Sequence, residues 1–276
     1  AKAIGGSNDE ITSVTETSDG GIIAGGYFYS RNIDLGNGKV LNNKSFSTNY
    51  SDGMIIKYNA NGECEWAKGI GGSSNDHITS IAETSDGGVI AGGYFESKTI
   101  DLGNGITLTK KGSGYYIDGM IIKYSSDGEC EWAKGIGGSD SDGINSVAST
   151  SDGGVIVGGY FESSSINLTK KIVLKNKGSS DSDGMIIKYS AEGECEWAKG
   201  IGGSGSDSIN LIAETRDGDI VAKGYFQSPT IEIDEKTLNV SNSKSRILKI
   251  TNKTGVPETQ ELTVENTRKE FKMTTD

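Results

Sequence analysis

Proline is nearly absent from this chain, with two in 276 residues beside 41 glycines. That balance excludes Pro-rich disorder and collagen-like sequence and leaves a turn-rich globular protein. Positive charge is also scarce: 27 Lys and Arg against 38 Asp and Glu give a net charge of −11. Phosphate backbones and anionic lipid are bound through basic surfaces and counterion release, so neither nucleic acid nor membrane insertion is expected. No apolar run approaches the roughly 20 residues that span a bilayer. The opening AKAIGGSNDE lacks the basic-then-apolar pattern of a signal peptide and reads as the middle of a repeat. Histidine occurs once, at His77. With no second histidine and no serine in a Gly-x-Ser-x-Gly setting, a Ser-His-Asp triad and a His-rich zinc site have no support, and His77 is expected as a solvated loop residue. No window holds a 3.6-residue apolar period, so helix should be close to nil.

What the chain does have is repetition. Trp-Ala-Lys-Gly-Ile-Gly-Gly occurs at 66–72, 132–138 and 197–203, and Ala-Lys-Ala-Ile-Gly-Gly opens the chain. Thr-Ser-Asp-Gly at 17–20, 84–87 and 150–153, Thr-Arg-Asp-Gly at 215–218, and Gly-Tyr-Phe at 26–28, 93–95, 159–161 and 224–226 keep the same spacing. A period of about 66 residues points to a solenoid, a propeller or a string of small domains. Within the second unit, HITSIAET (77–84), VIAGGYF (89–95), MIIKY (120–124) and ECEWAKGI (129–136) read as four strands, separated by Asp-Gly turns. A further hairpin is predicted around Gly103-Asn104-Gly105, in the segment that varies most between units. Strands apolar on both faces belong to sheets covered on both sides.

Tandem four-stranded sheets sandwiched between their neighbours are the blades of a β-propeller. The predicted fold class is therefore all-β, a propeller of four-stranded antiparallel blades, four in number or part of a larger ring. The Gly-Gly strand, the Asp-Gly turns and the Gly-Glu-Cys-Glu-Trp-Ala-Lys-Gly-Ile-Gly-Gly ending resemble the propeller-type repeats of bacterial secreted and cell-surface proteins, over residues 1 to about 255. The resemblance implies a fold and an extracellular or cell-surface location, and no activity. The units are expected at about 7–72, 73–138, 139–203 and 204–255. Residues 1–6 would close the last blade, with Glu258 to Val264 as the competing candidate for that edge. Residues 256–276 read as a strand or linker toward a further domain.

Most repeated polar residues have a packing explanation. Cys64, Cys130 and Cys195 sit two residues before a tryptophan at equivalent points, too far apart for disulfides, and are expected as small buried hydrophobes. Lys57, Lys123, Lys188 and Lys249 should bury their stems and either expose the amine or pair it with a carboxylate such as the repeated glutamates. Asp52, Asp118 and Asp183 read as turn residues, with Ser245 at or near that place in the last unit. Asp9, Asp76, Asp142 and Asp207 precede each first strand, where they would either cap turns or form a ring of carboxylates facing a ligand. Asp140-Ser-Asp142-Gly143 and Asp181-Ser-Asp183-Gly184 resemble fragments of calcium loops without the remaining ligands, so no cofactor is expected, with calcium as the alternative.

The expected function is a non-catalytic interaction scaffold that binds a protein or glycan through one loop face. The alternatives are a carbohydrate-active enzyme with carboxylates in the channel, and a plain spacer. Variable connections carry Tyr29, Phe46, Tyr50, Tyr115 and Tyr116, aromatic rings among polar neighbours that suit such contacts. With Asp9, Asp76, Asp142 and Asp207 they form the candidate ligand set. A monomeric propeller within a larger modular protein is the expected context.

Overall fold

The structure, a computed structural model, describes residues 5–6, 8–45, 49–178, 181–233, 236–240 and 245–250, and the backbone of 262–263. All regular structure among them is β. The first unit gives β1 (Glu10–Glu16), β2 (Ile22–Phe28), β3 (Asn32–Gly36), β4 (Lys39–Asn42), β5 (Asp52–Tyr58) and β6 (Cys64–Ile70). The second gives β7 (Asp76–Glu83), β8 (Val89–Phe95), β9 (Thr99–Asp101), β10 (Thr107–Thr109), β11 (Asp118–Tyr124) and β12 (Cys130–Ile136). The third gives β13 (Asp142–Ser149), β14 (Val155–Phe161), β15 (Ser165–Asn167), β16 (Val173–Lys175), β17 (Asp183–Tyr189) and β18 (Cys195–Gly202). The fourth gives β19 (Asp207–Glu214), β20 (Ile220–Phe226), β21 (Thr230–Ile233), β22 (Lys236–Asn239), β23 (Ser245–Ile250) and β24 (Leu262–Thr263).

Each unit is an antiparallel blade: β1-β2-β5-β6, β7-β8-β11-β12, β13-β14-β17-β18 and β19-β20-β23-β24, with a small hairpin between its second and third strands. The hairpin of the fourth blade pairs with the last strand of the third, Ile201 opposite Ile233. β24 pairs with the free edge of β23, Ile250 opposite Leu262, where the other blades carry their fourth strand. Residues 1–4 and 264–276 lie outside the described residues.

The Thr-x-Asp-Gly marker is the turn from first to second strand. Asp86 accepts from Thr84 Oγ1 (2.6 Å) and Gly88 N (3.0 Å), and Gly87 takes φ +77°, which a side chain would resist. The same carboxylate reaches Lys123 at 2.7 Å, whose Nζ also meets Glu131 at 2.8 Å. Lys57 and Lys188 repeat the arrangement with Asp19 and Glu65, and with Asp152 and Glu196. The lysine stems are buried while the carboxylates stay near solvent, so the pairing adds little desolvation cost. Cys64 and Cys130 are buried free thiols and Cys195 is half-buried.

Blades stack face to face in sequence order. β7 packs on β1, β2 and β5; β13 on β7, β8 and β11; β19 on β13, β14 and β17. Among the described residues, no comparable packing joins the first blade to the fourth. The glycine pair of each second strand explains the close approach. A Cβ on Gly25 would stand 2.7 Å from Ile81 Cγ2 and 3.0 Å from Ile78 Cγ2. Tryptophans bind the outer part of the joint: Trp66 Nε1 donates to Ser126 O and Trp132 Nε1 to Ala191 O, both at 2.9 Å, and each ring covers a glycine of the next blade, Gly128 or Gly193.

Candidate functional site

The carboxylate before each first strand is absorbed by its own blade. Asp76 Oδ1 accepts from Glu96 N and Ser97 N at 3.1 Å, and Oδ2 from Ser97 Oγ at 2.6 Å and Gly72 N at 3.0 Å. Asp207 repeats all four bonds with Gln227, Ser228 and Gly203, and Asp142 binds Ser163 and Gly138. Asp9 holds Gly6, Tyr29 and Ser30 in the same way. Asp76, Asp142 and Asp207 are buried, their oxygens turned to backbone amides and a serine hydroxyl, while the half-buried Asp9 reaches a groove wall. These residues latch the loop after the second strand onto the turn before the first.

Asp52, Asp118 and Asp183 differ from the expectation of turn residues. They are fully buried at the head of the third strand, each receiving a main-chain N–H, from Lys44, Lys111 and Lys177, on Oδ2. Their Oδ1 atoms have no partner among the described residues. Ser245 stands opposite Tyr225, the place of Gly53 in the first blade, so the fourth blade's counterpart of Asp52 lies outside the described residues. Each of these carboxylates sits beside a latch carboxylate of the next blade. Asp183 Oδ1 and Asp207 Oδ2 lie 2.2 and 3.0 Å from the point a Cβ on Gly202 would occupy. Burial pushes Asp52 up to about 6 and Asp76 up to about 7, and Asp142 and Asp183 up to about 6.

The tyrosine of Gly-Tyr-Phe builds the groove. Its cross-strand neighbour changes in every blade: Glu10 opposite Tyr27, His77 opposite Tyr94, Gly143 opposite Tyr160, Ser208 opposite Tyr225. At the first joint, Tyr27 OH donates to Glu10, and its ring stacks on His77 with centroids 3.9 Å apart and planes 8° from parallel. His77 bridges Ser51 Oγ (2.6 Å) and Tyr94 OH (2.7 Å), so a neutral ring donates from one nitrogen and accepts at the other. Ser51 continues to Asn75, and Asn75 to Glu96 at 3.0 Å. The bond to Glu10, then burial, pushes the Tyr27 phenol up to about 12, and burial pushes His77 down to about 4. His77 is thus a half-buried strand residue in a closed network, and the expectation of a solvated loop histidine is corrected. The reason is its place opposite Tyr94 and beneath Tyr27.

Asn8, Asp9, Glu10, Tyr27, Tyr29 and Asn49 line an open groove of about 620 Å³ beside this stack. Of the predicted ligand residues, Asp9 and Tyr29 meet there. Tyr50 is partly exposed, with its carbonyl bound by Asn43 Nδ2. Tyr115 (89% exposed) and Tyr116 (44%) stand on another connection, and no ring contact joins them to Tyr29. Phe46 lies outside the described residues. Sequence reading missed Glu10, Tyr27, His77 and Tyr94 as a group. The available signal was a constant tyrosine paired across the hairpin with a residue that never repeats.

Among the described residues no cluster of three or more His, Cys, Asp or Glu side chains is arranged to hold a metal ion. In the calcium-like fragments, Asp142 is occupied by its latch bonds and Asp181 Oδ1 accepts from Ser206 Oγ.

No family model matches the chain. It is 26% identical over 228 residues to an uncharacterized WD repeat-containing protein of Acanthamoeba polyphaga mimivirus, covering 72% of this chain and 16% of that one. It is 28% identical over 111 residues to the regulatory protein FlaEY of Caulobacter vibrioides, covering 40% and 12%. The chain therefore spans less than a fifth of the length of the curated relatives it matches. Among solved structures, a protein of unknown function from Bacteroides caccae is similar with a TM-score of 0.39 at 10% identity, covering 92% of this chain and 65% of that one. Sqt1 from Chaetomium thermophilum gives 0.33 at 9% identity, covering 87% and 74%. The assignment of propeller blades rests on the strand pairing itself: an all-β chain of repeated four-stranded antiparallel sheets, stacked face to face.

Proposed function

We propose that this chain is a non-catalytic interaction scaffold that seats a protein or glycan ligand in the groove of Glu10, Tyr27, Tyr29 and Asn49, outside the cell and as one module of a larger protein. One observation carries the proposal: a constant row of tyrosines, held by a constant frame, faces a position that differs in all four blades. A repeated frame with a variable partner provides graded recognition without a reaction centre. Tyr27 and Tyr29 meet edge to face at 6.1 Å, and the amides of Asn8 and Asn49 supply donors and acceptors beside them. The latch carboxylates are saturated by amides and a serine hydroxyl, Asp52, Asp118 and Asp183 are buried, and the exposed repeated carboxylates are paired with lysines, which favours binding over acid–base chemistry. The extracellular setting rests on the repeat resemblance alone, and the modular context on the greater length of the relatives.

The test is a glycan-array and surface-protein screen with and without EDTA, repeated with Tyr29→Ala and with Tyr115→Ala/Tyr116→Ala. A ligand that is lost with Tyr29→Ala, retained with Tyr115→Ala/Tyr116→Ala and indifferent to EDTA supports the groove. Turnover of an oligosaccharide, or binding that depends only on Tyr115 and Tyr116, overturns the assignment.

A further inference from the structure

Every joint between blades is made by the same parts. The upstream blade contributes a glycine, a serine and a Thr or Asn; the downstream blade contributes an apolar pair with its own backbone. At the first joint, Ile78 and Ile81 cover Gly25, Ile81 N donates to Ser13 Oγ (3.2 Å), and Thr12 Oγ1 donates to Ile78 O (2.7 Å). At the second, Ile144 and Val147 cover Gly92, with Val147 N to Ser80 Oγ (3.1 Å) and Thr79 Oγ1 to Ile144 O (2.6 Å). At the third, Ile209 and Ile212 cover Gly158, with Ile212 N to Ser146 Oγ (3.1 Å) and Asn145 Nδ2 to Ile209 O (2.9 Å).

The two outer faces of the stack are unequal. The first blade keeps the downstream half of the joint intact, with Ile11 and Val14 as the pair. Yet Val14 is 62% exposed where Ile81, Val147 and Ile212 are 5–7%, and Ile22 is 47% exposed where Val89 and Val155 are buried. The fourth blade keeps an Asn, Asn210, in the register of Thr12, Thr79 and Asn145, but has lost the glycine and the serine of the upstream half. Lys223 stands in the register of Gly25, Gly92 and Gly158, and Leu211 (57% exposed) in that of Ser13, Ser80 and Ser146. A lysine where methyl groups must touch the backbone, and a leucine where an acceptor is required, prevent the fourth blade from receiving the first in the geometry of the other joints.

We propose that the outer face of the first blade is a docking surface for one further blade of this repeat type, joined in the same chain ahead of residue 7. The occupant is specified by chemistry: a second strand with glycine facing Ile11 and Val14, and a first strand with serine and threonine aimed at the backbone of Val14 and Ile11. A second copy of the present four blades offers only Lys223 and Leu211 at that position. The greater length of the matched relatives leaves room for added blades.

The experiment is an extended chain in which a copy of residues 73–138 replaces residues 1–6. Hydrogen exchange is read at the Val14 and Ile22 amides, and sedimentation of the unextended chain is read alongside. Docking should slow exchange at Val14 roughly a hundredfold, and a copy carrying Gly92→Lys and Ser80→Leu should abolish that protection while leaving exchange in β7 and β13 unchanged. Equal exchange with both copies overturns the proposal. So does dimerisation of the unextended chain that Val14→Asp abolishes, since the face would then belong to a second copy.

Discussion

Asp52→Asn should stabilise this protein at neutral pH and leave it nearly unchanged in mild acid. Asp52 and Asp76 are both fully buried, and Asp52 Oδ1 has no partner. The cations near Asp52 come from Lys44, which gives its main-chain N–H to Oδ2 and sends its Nζ to Asp101 O. Two buried carboxylates with so little counter-charge hold a proton between them, and the folded pKa values rise from 3.8 to about 6 and about 7. Because these values are raised above the unfolded ones, the stabilisation is fully present below about pH 4 and is lost as pH rises through 6 to 7. Two units at Asp52 correspond to about 3 kcal/mol. Three joints repeat the pair, with Asp118 and Asp142 and with Asp183 and Asp207, all six carboxyls being raised. His77 opposes them: its value is lowered to about 4, so it destabilises the fold as pH falls below the unfolded value near 6.5. Three protons gained against one lost leave a slope of about −3 kcal/mol per pH unit between pH 5 and 6. An asparagine at 52 supplies the missing donor permanently. Urea unfolding at pH 7.5 should show Asp52→Asn more stable than the parent by about 2–3 kcal/mol, with the gap closing by pH 4.5. Equal destabilisation at both values, or a parent whose stability is flat from pH 5 to 7.5, would refute the shared proton.

Gly92→Ala places a Cβ 2.5 Å from Val147 Cγ1 and 2.8 Å from Ile144 Cγ2, and should cost about 1–3 kcal/mol in urea unfolding; Lys223→Gly, on the open face in the same register, should cost less than about 1 kcal/mol, essentially the strand penalty of glycine. The His77 ring should remain neutral down to about pH 4 in nitrogen-15 NMR, and Tyr27→Ala, which uncovers the ring, should move its titration back toward the ordinary value near 6.5.

The blade was legible because its constraints are local and repeated. Thr-x-Asp-Gly specifies a turn whatever lies around it, and strands such as GMIIKY, apolar on both faces, require neighbours on both sides. The buried stems of Lys57, Lys123 and Lys188 were legible for the same reason, whereas the choice between an exposed amine and a carboxylate partner was made only by the neighbouring Asp-Gly turn. The stack beside the groove was not legible, because its members come from two blades. Nothing in the segment around His77 shows that Tyr27, fifty residues earlier, covers its ring, or that Ser51 reaches its second nitrogen. Repetition also misled at Asp52, Asp118 and Asp183. An Asp before glycine is the mark of a turn, yet the pairing of Asp118 with Phe95 makes it the first strand residue and buries it against the next blade.

The departures of the fourth unit from the repeat carry more information than the matches. Matches identify what a blade with a following neighbour carries: a turn, a buried lysine, a glycine under the next blade's methyl groups. A position that is constant in three blades and altered in the last records what that blade no longer has to accommodate. Lys223 and Leu211 are two such positions, adjacent in the register of β19 and β20 and on the face that would carry a fifth blade, and Ile247 beside them is 47% exposed where Ile55, Ile121 and Ile186 are fully buried. Ala222, Phe226 and Leu248, which face the third blade, remain apolar and buried. Lys223, Leu211 and Ile247 thus mark the outward face, while on the face toward the third blade Arg246 takes the register of the buried Met54, Met120 and Met185 beside apolar neighbours that keep the joint closed.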